Sequence, residues 1–175
     1  MDRVKGKVAI VTGSGSGLGR AEAVLFAKEG AKVAVTDIND ANGMETVEMI
    51  RAEGGEAEYW HLDASKEKEC ADVLAQVVEK FGKLDILVNN AGITGPDVPT
   101  EEVEEADWDR MFAINVKSVL FMTKHAIKYL RESGKGAIVN TSSLSGIVGD
   151  TELTPYHATK GTIVIMTQKD AIQYA

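Results

Sequence analysis

The sequence holds a single cysteine, Cys70, so no internal disulfide can staple the fold, and a reducing compartment fits that usage. Positive charge is also short. Lys and Arg number 19 against 27 Asp and Glu, a formal net charge of −8 that argues against nucleic acid as a partner. No apolar run approaches the roughly 20 residues a membrane span needs. Met1–Gly6 carries no apolar signal region, so a soluble, cytoplasmic protein is expected. His61, His125 and His157 are scattered, without the cysteine or carboxylate grouping of a metal site, and read as surface or packing residues. There is no repeat, linker or low-complexity segment. What is present, 175 residues at 44% apolar and 26% charged, is one ordinary globular domain with enough chain for a sizeable core.

The most informative stretch is Thr12-Gly13-Ser14-Gly15-Ser16-Gly17-Leu18-Gly19. Before it, Lys7–Val11 is an apolar, β-branched run that reads as a buried parallel strand. After it, Arg20–Glu29 reads as a helix ending at Gly30. Strand, glycine loop and helix together are the context of a dinucleotide site. Gly13 permits the tight turn, Gly17 lets the backbone approach a pyrophosphate, and Gly19 lets helix and strand pack closely. The helix start then points free N–H groups at the phosphates.

Lys32–Asp37 is a second strand, and Asp37 stands 18 residues after Gly19, about where a carboxylate would meet the adenosine ribose. Such a carboxylate accepts bonds from ribose hydroxyls and repels a 2′-phosphate. Ile38 and Asn39 supply no cation, so NAD is favoured over NADP; the plainer role for Asp37 is a cap or turn residue. Arg20, in the first helix turn, is the one nearby cation that could complicate this choice, and a solvated surface role is the reading preferred for it. Asp40–Glu53 is helical and Ala57–Leu62 is a third strand, tipped by Asp63, which either caps the next helix or reaches the adenine edge. Lys66–Phe81 is helical, with Cys70 a small packed side chain. A fourth strand, Asp85–Val88, runs into Asn89-Asn90-Ala91-Gly92. The acidic run from Glu101 to Asp109 reads as a solvated face at a helix start. Trp108–Arg131 reads as one long helix with Asn115 inside its apolar pattern, where a satisfied buried amide is the plain alternative to a functional one. Ala137–Thr141 is a fifth strand, ending in Ser142-Ser143. Pro155 opens a last helix on which Tyr156 and Lys160, four apart, share one face.

Thr12-Gly13-x-x-x-Gly17-x-Gly19, Asn89-Asn90-Ala91-Gly92, Asn115, Ser143 and Tyr156-x-x-x-Lys160 occur in that order, with Ser143 13 residues before Tyr156. In this the chain resembles the short-chain dehydrogenase/reductase family from Lys7 to Ala175. The resemblance implies an α/β, doubly wound, Rossmann-like parallel sheet in one domain spanning residues 1–175. It places Ser143, Tyr156, Lys160 and Asn115 at catalytic positions. It places the cofactor against Gly13, Ser14, Ser16, Gly17, Leu18, Gly19, Asp37, Ile38, Asp63, Ala64, Asn90, Ala91, Gly92, Tyr156 and Lys160. The implied reaction is hydride transfer between NAD(H) and a small secondary alcohol or ketone. Tyr156 would be the acid/base, Lys160 the charge that tunes it and a donor to the nicotinamide ribose, Ser143 the donor to the substrate oxygen, and Asn115 the holder of a water that links Lys160 to solvent.

The chain departs from the family at its end. A full doubly wound sheet has six strands, and five are counted here. The resembled family continues with two more strands and a helical lid over the substrate, so the expectation is a fragment whose fifth strand forms an exposed apolar edge. Two other readings follow: an NAD-binding module without turnover, or an oligomerisation fragment. For the latter, Trp108–Arg131 and Pro155–Ala175 resemble the helix pair that packs between subunits in a dimer or homotetramer.

Overall fold

Val8–Thr12 (β1) is buried along its whole length because helices cover the sheet on both sides. The computed structural model describes residues 2–174. Around β1 stand Lys32–Asp37 (β2), Glu56–His61 (β3), Ile86–Asn89 (β4) and Ala137–Asn140 (β5). All pair in parallel, in the order β3-β2-β1-β4-β5. The five strands match those read from the sequence to within a residue or two.

Side chains alternate across β1 as the two-residue period requires. Val8 and Ile10 join a core with Leu74 and Val77 of Glu67–Phe81 (α3) and Met122 and Ala126 of Ser118–Glu132 (α5). Ala9 and Val11 join the opposite core with Ala23 and Ala27 of Gly17–Lys28 (α1) and Val47 and Ile50 of Asp40–Ala52 (α2). The chain runs from β1 to β2 and β3 on one side, then returns to β4 on the other. That reversal opens a crevice at the carboxyl ends of β1 and β4, where ligands of open α/β sheets bind.

The long fourth helix differs from expectation. It starts earlier, at Glu105 (α4, Glu105–Phe112), where Glu105 and Asp107 suit the helix dipole. It then passes through a π-helical turn, Ala113–Lys117, before α5. An apolar stripe records the helical period over many residues but does not reveal one inserted residue. Thr154–Tyr174 (α6) closes the chain, and β5 forms the sheet edge, with Val139 48% exposed. No helix among the described residues is long and apolar enough to cross a membrane.

At the start of β4 the buried Asp85 carboxylate accepts from Val8 N–H at 2.9 Å, Lys7 Nζ at 3.0 Å and Lys83 Nζ at 2.9 Å. Burial pushes its pKa up, but the donors of Lys83, Val8 and Lys7 outweigh that and hold it below the usual carboxylate range. Asp85→Ala strands the Val8 N–H and should cost roughly 1–3 kcal/mol, read as a lower urea midpoint at pH 7. Because the folded pKa is depressed, this contribution is complete above the unfolded value, about 4, and disappears as pH falls through the folded one. The gap between variant and wild type should therefore narrow on acidification to the part owed to the Val8 N–H; a gap of unchanged size at low pH would contradict the charge contribution.

Candidate functional site

Gly13 has φ +64°, and a Cβ there would lie 2.9 Å from the Cα of Ala91, so only glycine fits the turn out of β1. Gly17 has φ +53° with nothing within 4 Å of a built Cβ, leaving open space beside the start of α1. A Cβ on Gly19 would collide with the Gly13 carbonyl and the Asn90 side chain. The extended Ser16 precedes α1 without a side-chain cap, and no acidic residue occupies the first turn. The helix start thus presents N–H groups and positive dipole to an open crevice, which suits a pyrophosphate. Leu18 is exposed beside it, whereas Ser14 is fully buried. The Ser14 hydroxyl donates to Val11 O at 2.8 Å and accepts from Thr36 N–H at 3.0 Å, so it braces the loop from inside.

Gly15 also has a role that the sequence reading missed. Its N–H donates to Asp37 Oδ2 at 2.8 Å, and a Cβ there would lie 2.8 Å from Asp37 Cγ. The strand-tip carboxylate opposite the loop was the available signal. Asp37 Oδ1 accepts from Asn39 N–H at 2.9 Å, so the turn role is realised too. A carboxylate has about four lone-pair sites, which leaves capacity for ribose hydroxyls. Ile38 beside it is exposed. Arg20 is not the solvated residue expected. Its guanidinium bonds the Gly15 carbonyl, Thr46 Oγ1 at 3.0 Å and Glu45 Oε2 at 2.6 Å, fastening the loop to α2.

Asp63 Oδ1 accepts from Ser65 N–H and hydroxyl at 3.0 and 2.6 Å, shaping the entry to α3, and Ala64 is buried behind it. Cys70 is packed in the core; burial pushes its thiol up to about 12. Asn90 Nδ2 donates to the Thr12 and Gly13 carbonyls at 3.0 and 3.2 Å. The N–H groups of Asn90 and Ala91 both donate to Thr12 Oγ1 at 3.0 Å. Asn90 therefore supports the glycine loop.

A second cluster lies deeper along the crevice. Asn115 is fully buried; Oδ1 accepts from Ile93 N–H at 2.8 Å, and Nδ2 donates to Ile93 O at 2.9 Å and Thr159 Oγ1 at 3.2 Å. Both of its amide hydrogens are thus used by protein, while Oδ1 accepts one bond and keeps a second acceptor site. A Cβ on Gly92 would lie 3.1 Å from Asn115 Oδ1 and 3.6 Å from Lys160 Nζ. Lys160 is 4% exposed; Nζ donates to Thr141 O at 2.8 Å and lies 5.5 Å from the centre of the Tyr156 ring. Burial lowers its pKa, and among the described residues no carboxylate pairs with it. Ser143 caps the 3-10 turn Leu144–Gly146 by accepting from Ser145 N–H at 3.2 Å. That turn is held against α6, since Ser142 Oγ donates to Lys160 O at 2.8 Å and a Cβ on Gly146 would meet the same carbonyl. Ser143 and Tyr156 are both half-buried. Thr12, Thr141 and Thr159 were missed, because a threonine within a motif carries no signal of its own.

Parallel sheet and glycine loop together define a Rossmann-like α/β architecture, and the comparisons give its family. The family model for short chain dehydrogenase matches residues 7–175, and the chain belongs to that family. An uncharacterised oxidoreductase of Thermotoga maritima is 43% identical over 97% of this chain and 66% of its own length. Cyclopentanol dehydrogenase of Comamonas sp. is 39% identical over all of this chain and 70% of its own. The crystal structure of NAD+-bound xylitol dehydrogenase superimposes with TM-score 0.96 at 32% identity, covering 98% of this chain and 66% of that one. The chain thus spans about two thirds of the length of these relatives.

A buried ammonium whose partner is one carbonyl weakens the fold that holds it. Lys160→Met should melt at the same temperature as wild type or a few degrees higher near neutral pH. Because burial depresses the lysine's folded pKa, its penalty is complete at low pH and fades as pH rises through that value toward the unfolded one. The gain should shrink accordingly; circular dichroism melts across pH would show it, and a marked drop in melting temperature would contradict it.

Proposed function

We propose that this chain forms the cofactor and catalytic part of an NAD-dependent oxidoreductase acting on secondary alcohols or ketones. The observation that carries this reading is the placing of Tyr156 and Lys160 on one face of α6, against the turn bearing Ser143. Bound NAD supplies the acceptor, or in reverse the donor, of a hydride. Removing a hydride from an alcohol also requires taking its hydroxyl proton, and Tyr156 is the group placed to take it. A free tyrosine, with pKa near ~10, is a poor base at neutral pH. Lys160 Nζ stands 5.5 Å from the centre of the Tyr156 ring, and its part is to donate to the nicotinamide ribose. The Ser143 hydroxyl donates to the substrate oxygen and stabilises charge developing there. Asn115 serves by position: it ties the segment after β4 to α6 through Ile93 and Thr159. The open space at Gly17 and the uncapped start of α1 support a pyrophosphate site, and Asp37 supports NAD over NADP. Relatives bearing alcohol dehydrogenase names support the substrate class.

A second reading is an NAD-binding module that does not turn over. Exposed Leu120, Ile165 and Ile172 on α5 and α6 support a homo-oligomer, dimer or tetramer. NAD titration followed by an alcohol assay separates these: binding with turnover supports the enzyme, binding alone the module, and neither an assembly fragment.

For cofactor choice, Asp37→Ala with Ile38→Arg should move preference from NAD toward NADP in paired binding titrations. An unmodified chain that takes NADP at least as tightly refutes the Asp37 assignment. For the chemistry, Tyr156→Phe should lower turnover by ~10²-fold or more with little change in NAD affinity. Lys160→Ala should lower turnover and weaken NAD, because a donor to the ribose is lost. Ser143→Ala should lower turnover and leave NAD affinity in place. Near-normal turnover in Tyr156→Phe would sink the acid/base assignment.

A further inference from the structure

Behind the crevice, between β3 and α2, lies an aromatic residue that none of the site motifs includes. The ring of Tyr59 lies flat on α2 at Gly43, where any Cβ would overlap its edge. Tyr59 Oη lies 2.8 Å from the main-chain carbonyl oxygen of Asp37 and 2.7 Å from Asp40 Oδ1, so its single proton is shared between two acceptors. These acceptors are the last residue of β2 and the first residue of α2, so one hydroxyl brackets the short turn Ile38-Asn39. The same Asp37 carbonyl also receives Leu62 N–H at 3.0 Å. The Asp37 side chain is meanwhile fixed by Gly15 N–H and Asn39 N–H. The direction of that carboxylate therefore depends on where the backbone of Asp37 is held, and Tyr59 is the side chain that holds it from beneath. Burial and the neighbouring Asp40 push the Tyr59 pKa further above its ordinary value, so it stays a hydroxyl donor through the working range.

We propose that Tyr59, seated on Gly43, is a positioning residue for cofactor selection: by bracketing the β2–α2 turn it aims the Asp37 carboxylate at the ribose hydroxyls and so maintains discrimination against a 2′-phosphate. This rests on the reading of Asp37 given above. The hydroxyl touches no cofactor atom; it acts through the backbone of Asp37. A one-atom deletion here should cost selectivity, because a carboxylate that swings aside both loses its bonds to the ribose and ceases to repel the phosphate. Uniform loosening of the domain would weaken both dinucleotides alike.

The test is the ratio of NADP to NAD dissociation constants, measured by titration calorimetry on the 175-residue chain and on three single variants. Tyr59→Phe keeps the ring on Gly43 and removes only the hydroxyl. It should weaken NAD about fivefold, the factor one hydrogen bond of this kind controls. NADP affinity should hold or improve, so that the ratio narrows by at least that factor. Gly43→Ala, which tilts the ring but retains the hydroxyl, should narrow the ratio in the same direction. Asp40→Asn weakens the competing acceptor for the Tyr59 proton and leaves that proton to the Asp37 carbonyl, so it should keep the ratio within about twofold. The proposal is overturned by a Tyr59→Phe or Gly43→Ala chain with the wild-type ratio. It is overturned equally by an Asp40→Asn chain that loses selectivity as Tyr59→Phe does, since the charge on Asp40 would then be the cause. A wild-type chain that binds NADP as tightly as NAD, or binds neither, removes the reading of Asp37 and this inference with it. Wild-type preference for NAD with an unchanged Tyr59→Phe ratio removes this inference alone.

Discussion

The tie between Thr12 and the Asn90-Ala91 backbone is the constraint on which the crevice depends. Strands β1 and β4 are neighbours, but the chain leaves their ends in opposite directions, and parallel strand bonds stop where the strands stop. Past that point, one threonine hydroxyl accepting two N–H groups, and one asparagine amide donating to two carbonyls, continue the seam. Buried backbone groups must be paired somewhere. Here the pairing is done by side chains, so the glycine loop can remain open in front. Gly13 and Gly19 follow from this closeness: with the two segments held together, neither position has room for a Cβ.

The legible features were those that repeat or that exclude alternatives. Buried parallel strands announce themselves as apolar β-branched runs, and Val8–Thr12 and Lys32–Asp37 were found where expected. The glycines of the loop could be read because backbone conformation and close approach leave few substitutes. Polar bracing was not legible. Arg20, Ser14 and Thr159 look like any surface residue until the elements that surround them are known, and each proves to join two segments distant in sequence. Asn115 was noticed because an amide in an apolar stripe is costly, but the carbonyl and N–H of Ile93 that satisfy it lie 22 residues away.

The two halves of the crevice are built on different principles. At the glycine loop, the protein supplies backbone donors and an absence of side chains. Near Tyr156, it supplies a buried lysine whose ammonium has one protein acceptor. Residues that lower stability in this way are found where a reaction needs them. That asymmetry supports the proposed division, with chemistry at α6 and recognition at α1.

The π-helical turn at Ala113–Lys117 can be understood as a change of phase. Ordinary helix advances about 100° per residue, so one additional residue in a turn rotates everything beyond it by about that angle relative to what precedes. Segments α4 and α5 follow one another in a single rod, yet they answer to different neighbours. The first packs on α6 and the second on α3 and the sheet. An uninterrupted α-helix through Asn115 would have to compromise between those two demands. The bulge uncouples them, in the way a keyed joint lets two shafts share an axis at different angular settings. Shortening the chain by one residue here would set the two faces against each other while leaving every residue's helix propensity unchanged.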